Sequence, residues 1–89
     1  MINALVRRLA AMERYFFDTR DGLEVIVDDV GTEADDMTAV KAIAALSLAE
    51  LARDVLPVSW KRCLGVDVRD QRQMLVLTTE LTFEARVLV

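Results

Sequence analysis

Hydrophobic and polar positions change period twice along this chain, and the changes divide it into elements. Residues 13–19 alternate with period two, Tyr15 and Phe17 on one face and Arg14, Phe16 and Asp18 on the other. Phe16 makes this strand apolar on both faces near its middle, which predicts a central strand or one whose outer face is covered. Thr19-Arg20-Asp21-Gly22 reads as a turn, because Asp-Gly supplies the positive φ of a tight hairpin. Residues 23–28 return as a second strand, with Leu23, Val25 and Val27 opposite Glu24, Ile26 and Asp28. Residues 29–36 read as a loop containing Gly31, and Asp35 or Asp36 is the natural N-cap of a helix beginning near Met37.

From Met37 the period changes to that of a helix. Met37, Val40, Ala44, Leu48, Leu51 and Val55 form one apolar stripe, widened by Ile43 and Leu46, and Pro57 stops the helix after residue 56. Ala39, Ala42, Ala45 and Ala49 allow another element to approach closely, and few of the helix's residues are charged, so contact on more than one side is expected. After a connector at 57–62, alternation resumes over 63–69 with Leu64, Val66 and Val68. Asp70-Gln71-Arg72-Gln73 reads as a turn, and 74–84 as the longest strand, with Leu75, Leu77, Thr79, Leu81 and Phe83 on its buried face. Residues 2–12 read as a short amphipathic helix or as an extension ahead of a start at Met12. The expected fold is α+β: a ββαββ order forming a four-stranded antiparallel sheet with one long helix on one face, over a single domain at 13–89. The strands at 13–19 and 74–84 are the most apolar and are expected in the centre.

Length and composition add one inference. An 89-residue chain has room for one core, and a domain of that size buries roughly 60–70% of its unfolded surface. An apolar fraction of 54% is high for so short a chain, and no run reaches the roughly 20 residues that span a bilayer. The surplus predicts a covering partner, a second copy above all. The mostly apolar tail Ala85-Arg86-Val87-Leu88-Val89 points the same way, since an apolar strand end is a template for pairing. A net charge of −4 disfavours nucleic acid as a partner. A lone cysteine and the lack of a signal-peptide pattern suggest a reducing, cytoplasmic setting.

Candidate chemistry is sparse, and no cofactor or metal is implied. There is no histidine, the commonest general base and metal ligand. The acids Asp28, Asp29, Glu33, Asp35 and Asp36 do not follow the calcium-loop spacing and suit a helix N-terminus. Asp18 and Asp21 suit turn formation rather than paired-carboxylate catalysis. Cys63 reads as a small packing residue. Trp60, Lys61, Arg62 and Arg69 are the most plausible contact surface, because Trp and Arg dominate binding hot spots and also serve stacking and phosphate contact. The competing expectation is that Trp60 folds over the helix end and plugs the core. Phe16 joins the contact candidates as the outward apolar residue of the first strand.

These residues carry a resemblance. Arg14-Tyr15-Phe16-Phe17-Asp18, Asp21-Gly22, Asp29, Gly31-Thr32-Glu33, Leu48-Ala49-Glu50-Leu51-Ala52-Arg53-Asp54 and Val66-Asp67-Val68-Arg69-Asp70 occur together and in order. The chain resembles a family of small alphaproteobacterial domains of unknown function that share this pattern over about residues 13–84. That family often has a glycine in the second hairpin turn, where Gln71 and Arg72 stand here. A weaker likeness is to HicB-like antitoxin domains, which share an aromatic first strand, a D-G turn and an Ala-rich helix. The family resemblance implies no activity and no site residues; the residues themselves suggest a non-enzymatic, homodimeric interaction module, with a nucleic-acid-binding or antitoxin-like regulatory module second.

Overall fold

The hairpin expected at the Asp-Gly pair forms, but its turn is Gly22-Leu23 rather than Thr19–Gly22, because Thr19, Arg20 and Asp21 remain paired in the first strand. In the computed structural model of the chain, which describes residues 3, 4 and 12–89, Gly22 has φ +61° and joins β1 (Glu13–Asp21) to β2 (Glu24–Ile26). The chain continues through β3 (Thr32–Ala34), α1 (Met37–Val55), a 3-10 turn (Leu56–Val58), β4 (Lys61–Arg69) and β5 (Leu75–Glu84). The N-terminal reading over residues 2–12 lies almost wholly outside the described residues. No helix among the described residues is long and apolar enough to cross a membrane.

Among the described residues the architecture is α+β with one long helix against an antiparallel sheet, and it differs from expectation in two respects. The sheet has five strands in the order βββαββ, not four in ββαββ. The expected loop at 29–36 contains β3, which pairs Glu13↔Ala34, Arg14↔Glu33 and Tyr15↔Thr32 at one end of β1, while β2 pairs Thr19↔Ile26 through Asp21↔Glu24 at the other. The second strand is thus one extended segment broken in its middle. The spatial order is β2-β1-β4-β5, with β3 beside β2 along the outer edge of β1. The centre is therefore β1 and β4, and β5 lies at an edge, which corrects the expectation that the two most apolar strands are central.

The reason lies in the helix. α1 lies mainly over β4, and Val40, Ala44 and Leu48 meet Phe17, Leu64, Val66 and Val68 in the core, with Ala34 closing one end. Leu64, Val66 and Val68 are fully buried. Each such side chain contributes about 1.5–3 kcal/mol relative to exposure. Asp36 starts the helix: its carboxylate accepts from the Ala39 N–H at 2.8 Å. Pro57 lies within the 3-10 turn that ends it. β5, farther from the axis of α1, keeps Leu77 and Leu81 only half-buried.

Candidate functional site

The face of the sheet away from α1 carries a charge lattice. β1 and β4 pair Phe16↔Arg69, Asp18↔Asp67 and Arg20↔Gly65, so two carboxylates lie directly opposite each other at the centre. Like charges in that position repel, and each is neutralised on the diagonal. Arg69 holds Asp18 through two bonds, Nε to Oδ2 at 2.7 Å and Nη2 to Oδ1 at 3.0 Å. Arg20 holds Asp67 at 3.0 and 3.4 Å and also donates to the Thr79 carbonyl at 3.2 Å. Thr78 adds a bond to Asp67 at 2.6 Å. The arginine bonds come first in lowering both carboxyls below the usual range, outweighing the upward push of desolvation.

This lattice explains a glycine in the middle of a strand. A Cβ on Gly65 would lie 2.1 Å from Arg20 Nη2 and 2.7 Å from the Thr79 carbonyl oxygen. Gly65 is the floor on which the Arg20 guanidinium rests. A glycine inside a strand pattern signals a close approach, which was the one cue in the sequence to this contact.

Phe16 is partly covered within its own chain. The Arg69 guanidinium lies 5.0 Å from its ring centroid, a cation–π distance. Gly31, with φ +81°, brings its backbone against the same ring; a Cβ there would lie 3.0 Å from Phe16 Cε1 and 2.8 Å from Arg14 Cγ. The break between β2 and β3 is sealed by Asp28. Its Oδ2 accepts from the Phe17 N–H, its Oδ1 from Val30 and Gly31, all at 3.0 Å, and its own N–H donates to Asp18 at 2.9 Å. One side chain thus takes the place of a missing strand. Burial raises the Asp28 pKa, but these backbone N–H groups outweigh it and leave the carboxyl below its ordinary value. Arg14 fixes the same loop through the carbonyls of Val30 and Gly31 and an ion pair with Glu33 at 3.3 Å.

The other acids divide their work. Asp36 caps α1 and Glu33 pairs with Arg14. Among the described residues no three acids or cysteines converge as a metal site. Cys63 lies on the lattice face and bonds Glu80 at 3.3 Å. Its backbone carbonyl accepts from Gly22.

The proposed contact residues do not form one surface. Lys61 and Arg69 stand at opposite ends of β4, about 26 Å apart at 3.3 Å per residue. Arg69 is committed to Asp18 and Phe16. Arg62 is committed to Asp21 through two bonds of 2.7 and 2.8 Å, and to the Ser59 hydroxyl. Its bond is the leading cause that holds the Asp21 carboxyl low. Lys61 is exposed, and Trp60 is 64% exposed rather than plugging the core.

Trp60 belongs instead to an apolar border along the helix side of β5. An open groove of about 610 Å³ runs between α1 and β5, lined by Ala49, Ala52, Leu56, Pro57, Leu81 and Phe83. Phe83 continues it into a second recess of about 370 Å³ that contains Val58 and Trp60. Among the described residues nothing pairs with the outer edge of β5. Sequence reading identified the apolar tail and Trp60 but not this groove, which follows from the position of β5 relative to α1.

The chain matches no curated protein and no solved structure at a significant level. Several signature residues have structural roles here: Gly31 packs against Phe16 in the loop that Asp28 seals, Gly22 makes the hairpin turn, and Arg69 closes the lattice. The model of the family DUF6894, a domain of unknown function, matches residues 14–82, and the chain belongs to that family.

Proposed function

We propose that this domain is a non-enzymatic protein-interaction module that works as a homodimer. The observation that carries this reading is the β5 side of the molecule, where a ten-residue strand whose outer edge has no partner among the described residues borders an apolar groove. Val58, Trp60, Val87 and Leu88 are exposed around it. Isolated exposed apolar residues are ordinary, whereas a contiguous patch beside a strand edge marks an interaction surface. On the opposite face Asp18, Arg20, Asp67 and Arg69 are already satisfied by one another.

Light scattering across a concentration series tests the reading. The expected mass is twice the 10.0 kDa of the chain. A mass of one chain at all concentrations refutes it. Trp60, the only tryptophan, adds an optical report, because its fluorescence should shift to the red on dilution.

A second reading is a nucleic-acid-binding or HicB-like regulatory module using Trp60 with Lys61. Both are exposed and adjacent in sequence, a base-stacking ring and a phosphate-binding ammonium at the same end of the sheet. Arg62 and Arg69 add little to it, since each neutralises a carboxylate of its own chain. Quenching of Trp60 by an oligonucleotide at low salt supports this second reading. No response there ends it, because low salt favours such binding most.

A further inference from the structure

We propose that two copies join β5 to β5 about a two-fold axis at Phe83. Arg86 of each copy then faces Glu80 of the other, and the C-terminal tail of each lies along the edge and groove of its partner. This assignment rests on the homodimer reading above and gives it a site and a register.

The backbone sets which residues can pair. The Ala85 N–H donates to the Trp60 carbonyl at 2.7 Å, so the odd-numbered residues of β5 turn their backbone groups inward to β4. Thr78, Glu80, Thr82 and Glu84 turn theirs outward, to an edge with no partner among the described residues. An antiparallel β5 pair must join these even-numbered residues.

The tail needs the same edge. β4 begins at Lys61, opposite Glu84, so the inner side of the chain beyond Ala85 has no strand beside it. Val87, Leu88 and Val89 are 68%, 91% and 119% exposed. Leu81 and Phe83 line the groove on the helix side. Ala85, Val87 and Val89 share their parity, so a tail extended along the partner's β5 puts those three side chains on the helix side of the sheet, with Ala85 beside Leu81 at the partner's groove and Val87 and Val89 continuing past it beside Thr79 and Leu77.

Charge and strand length together select the register: a two-fold at Ala85 would also pair Glu84 with the partner's Arg86 twice, but it leaves β5 before Leu81 without a partner, because the sequence ends at Val89. Two-fold pairing about Thr82 would place Glu80 opposite the partner's Glu84 twice over, and like charges directly opposite are destabilising. Pairing about Leu81 places no opposite charges together. Pairing about Phe83 places Glu80 opposite the partner's Arg86 twice, joins Thr82 to the partner's Glu84, and stacks Phe83 on its own copy. Arg86 can exchange an exposed pair within its own chain for that bond. Its present partner is Glu84 at 3.0 Å, and its side chain is 73% exposed.

The test is sedimentation equilibrium on the full chain and on Glu80→Arg, Arg86→Glu and the variant carrying both. Glu80 and Arg86 are exposed, so circular dichroism should report an unchanged fold for all three. Each single change turns two attractive pairs into two repulsive ones, and dimerisation should weaken about tenfold or more. The double variant re-forms both pairs in reverse and should recover to within about threefold of wild type. A dimer that neither single change weakens refutes this register and leaves the homodimer reading standing. A wild-type chain that stays monomeric overturns both.

Discussion

Replacing Gly65 with alanine tests the charge lattice at its tightest point. The added methyl would lie 2.1 Å from Arg20 Nη2, 2.5 Å from Arg20 Cζ and 2.7 Å from the Thr79 carbonyl oxygen. Arg20 can move, but only by giving up its bonds to Asp67 and Thr79, which leaves Asp67 facing Asp18 with one guanidinium between them. The Thr79 carbonyl belongs to β5 and moves only with the strand. Overpacking of this kind costs about 1–3 kcal/mol, and loss of a half-exposed ion pair adds about 0.5–1 kcal/mol. Against these, alanine is favoured over glycine inside a strand by about 0.5–1 kcal/mol. The expected net loss is about 2 kcal/mol, or about 8–16 °C in melting temperature for a domain of this size. Thermal and urea unfolding followed by circular dichroism measure it. The decisive comparison is the same substitution in an Arg20→Ala background, where the side-chain clash is absent and only the Thr79 contact remains. Gly65→Ala should then cost at least about 1 kcal/mol less, a coupling that a double-mutant cycle resolves. An equal cost in both backgrounds, or no cost in the first, would refute the role assigned to Gly65.

Asp28→Ala should cost about 2–3 kcal/mol, because it strips acceptors from the N–H groups of Phe17, Val30 and Gly31; Asp28→Asn keeps one acceptor oxygen and should cost less, and equal urea midpoints for the two would contradict the assigned bonding. Acid should destabilise the fold: Asp18, Asp21, Asp28 and Asp67 are all held low, so each contributes stability that is complete above the unfolded carboxyl value of about 3.9 and lost as pH falls through the lower folded value. Urea unfolding should therefore weaken progressively below about pH 5, and stability that is flat or rising from pH 5 to pH 2 would reverse that sign. Gln73 has φ +68° in the β4–β5 turn, a conformation that glycine adopts freely, so Gln73→Gly should raise stability by about 0.5–1 kcal/mol. A lowered melting temperature would show that the Gln73 bond to Arg69 matters more than backbone strain.

The helix and the long strands were legible because each repeats a period over many residues. Met37 to Val55 has a stripe that only a helix can bury, and β1, β4 and β5 alternate over most of their length. β3 was not legible. Thr32-Glu33-Ala34 is short and polar, and it is a strand because it pairs with β1, fixed in place by Asp28 and Arg14. The order of the strands was misjudged for a related reason. Apolar content ranks 74–84 above 63–69, but burial depends on which strand α1 covers, and that is a property of the whole fold. Of the candidate site, the sequence marked Phe16 and Arg69 as outward-facing residues. That they are each other's partner depends on the β1–β4 register, which no local pattern encodes. Arg20, Asp67 and Gly65 went unmarked for the same reason. The tail and Trp60 were marked, and the groove that connects them appears only once Phe83 is placed between α1 and the edge.

The two rims of the sheet differ in a way that bears on how many copies can assemble. On one rim the outermost chain is broken into β2 and β3, three residues each, with the Asp28 knot between them. No incoming strand finds a straight run of backbone groups there. On the other rim β5 offers ten residues without a break. A sheet with two receptive rims grows without limit, as fibrils do. A sheet with one receptive rim stops growing once that rim is matched, because the added copy presents only its blunted side to the solution. In the proposed dimer the broken rim held by Asp28 would face outward from both copies, so the same pairing would stop at two.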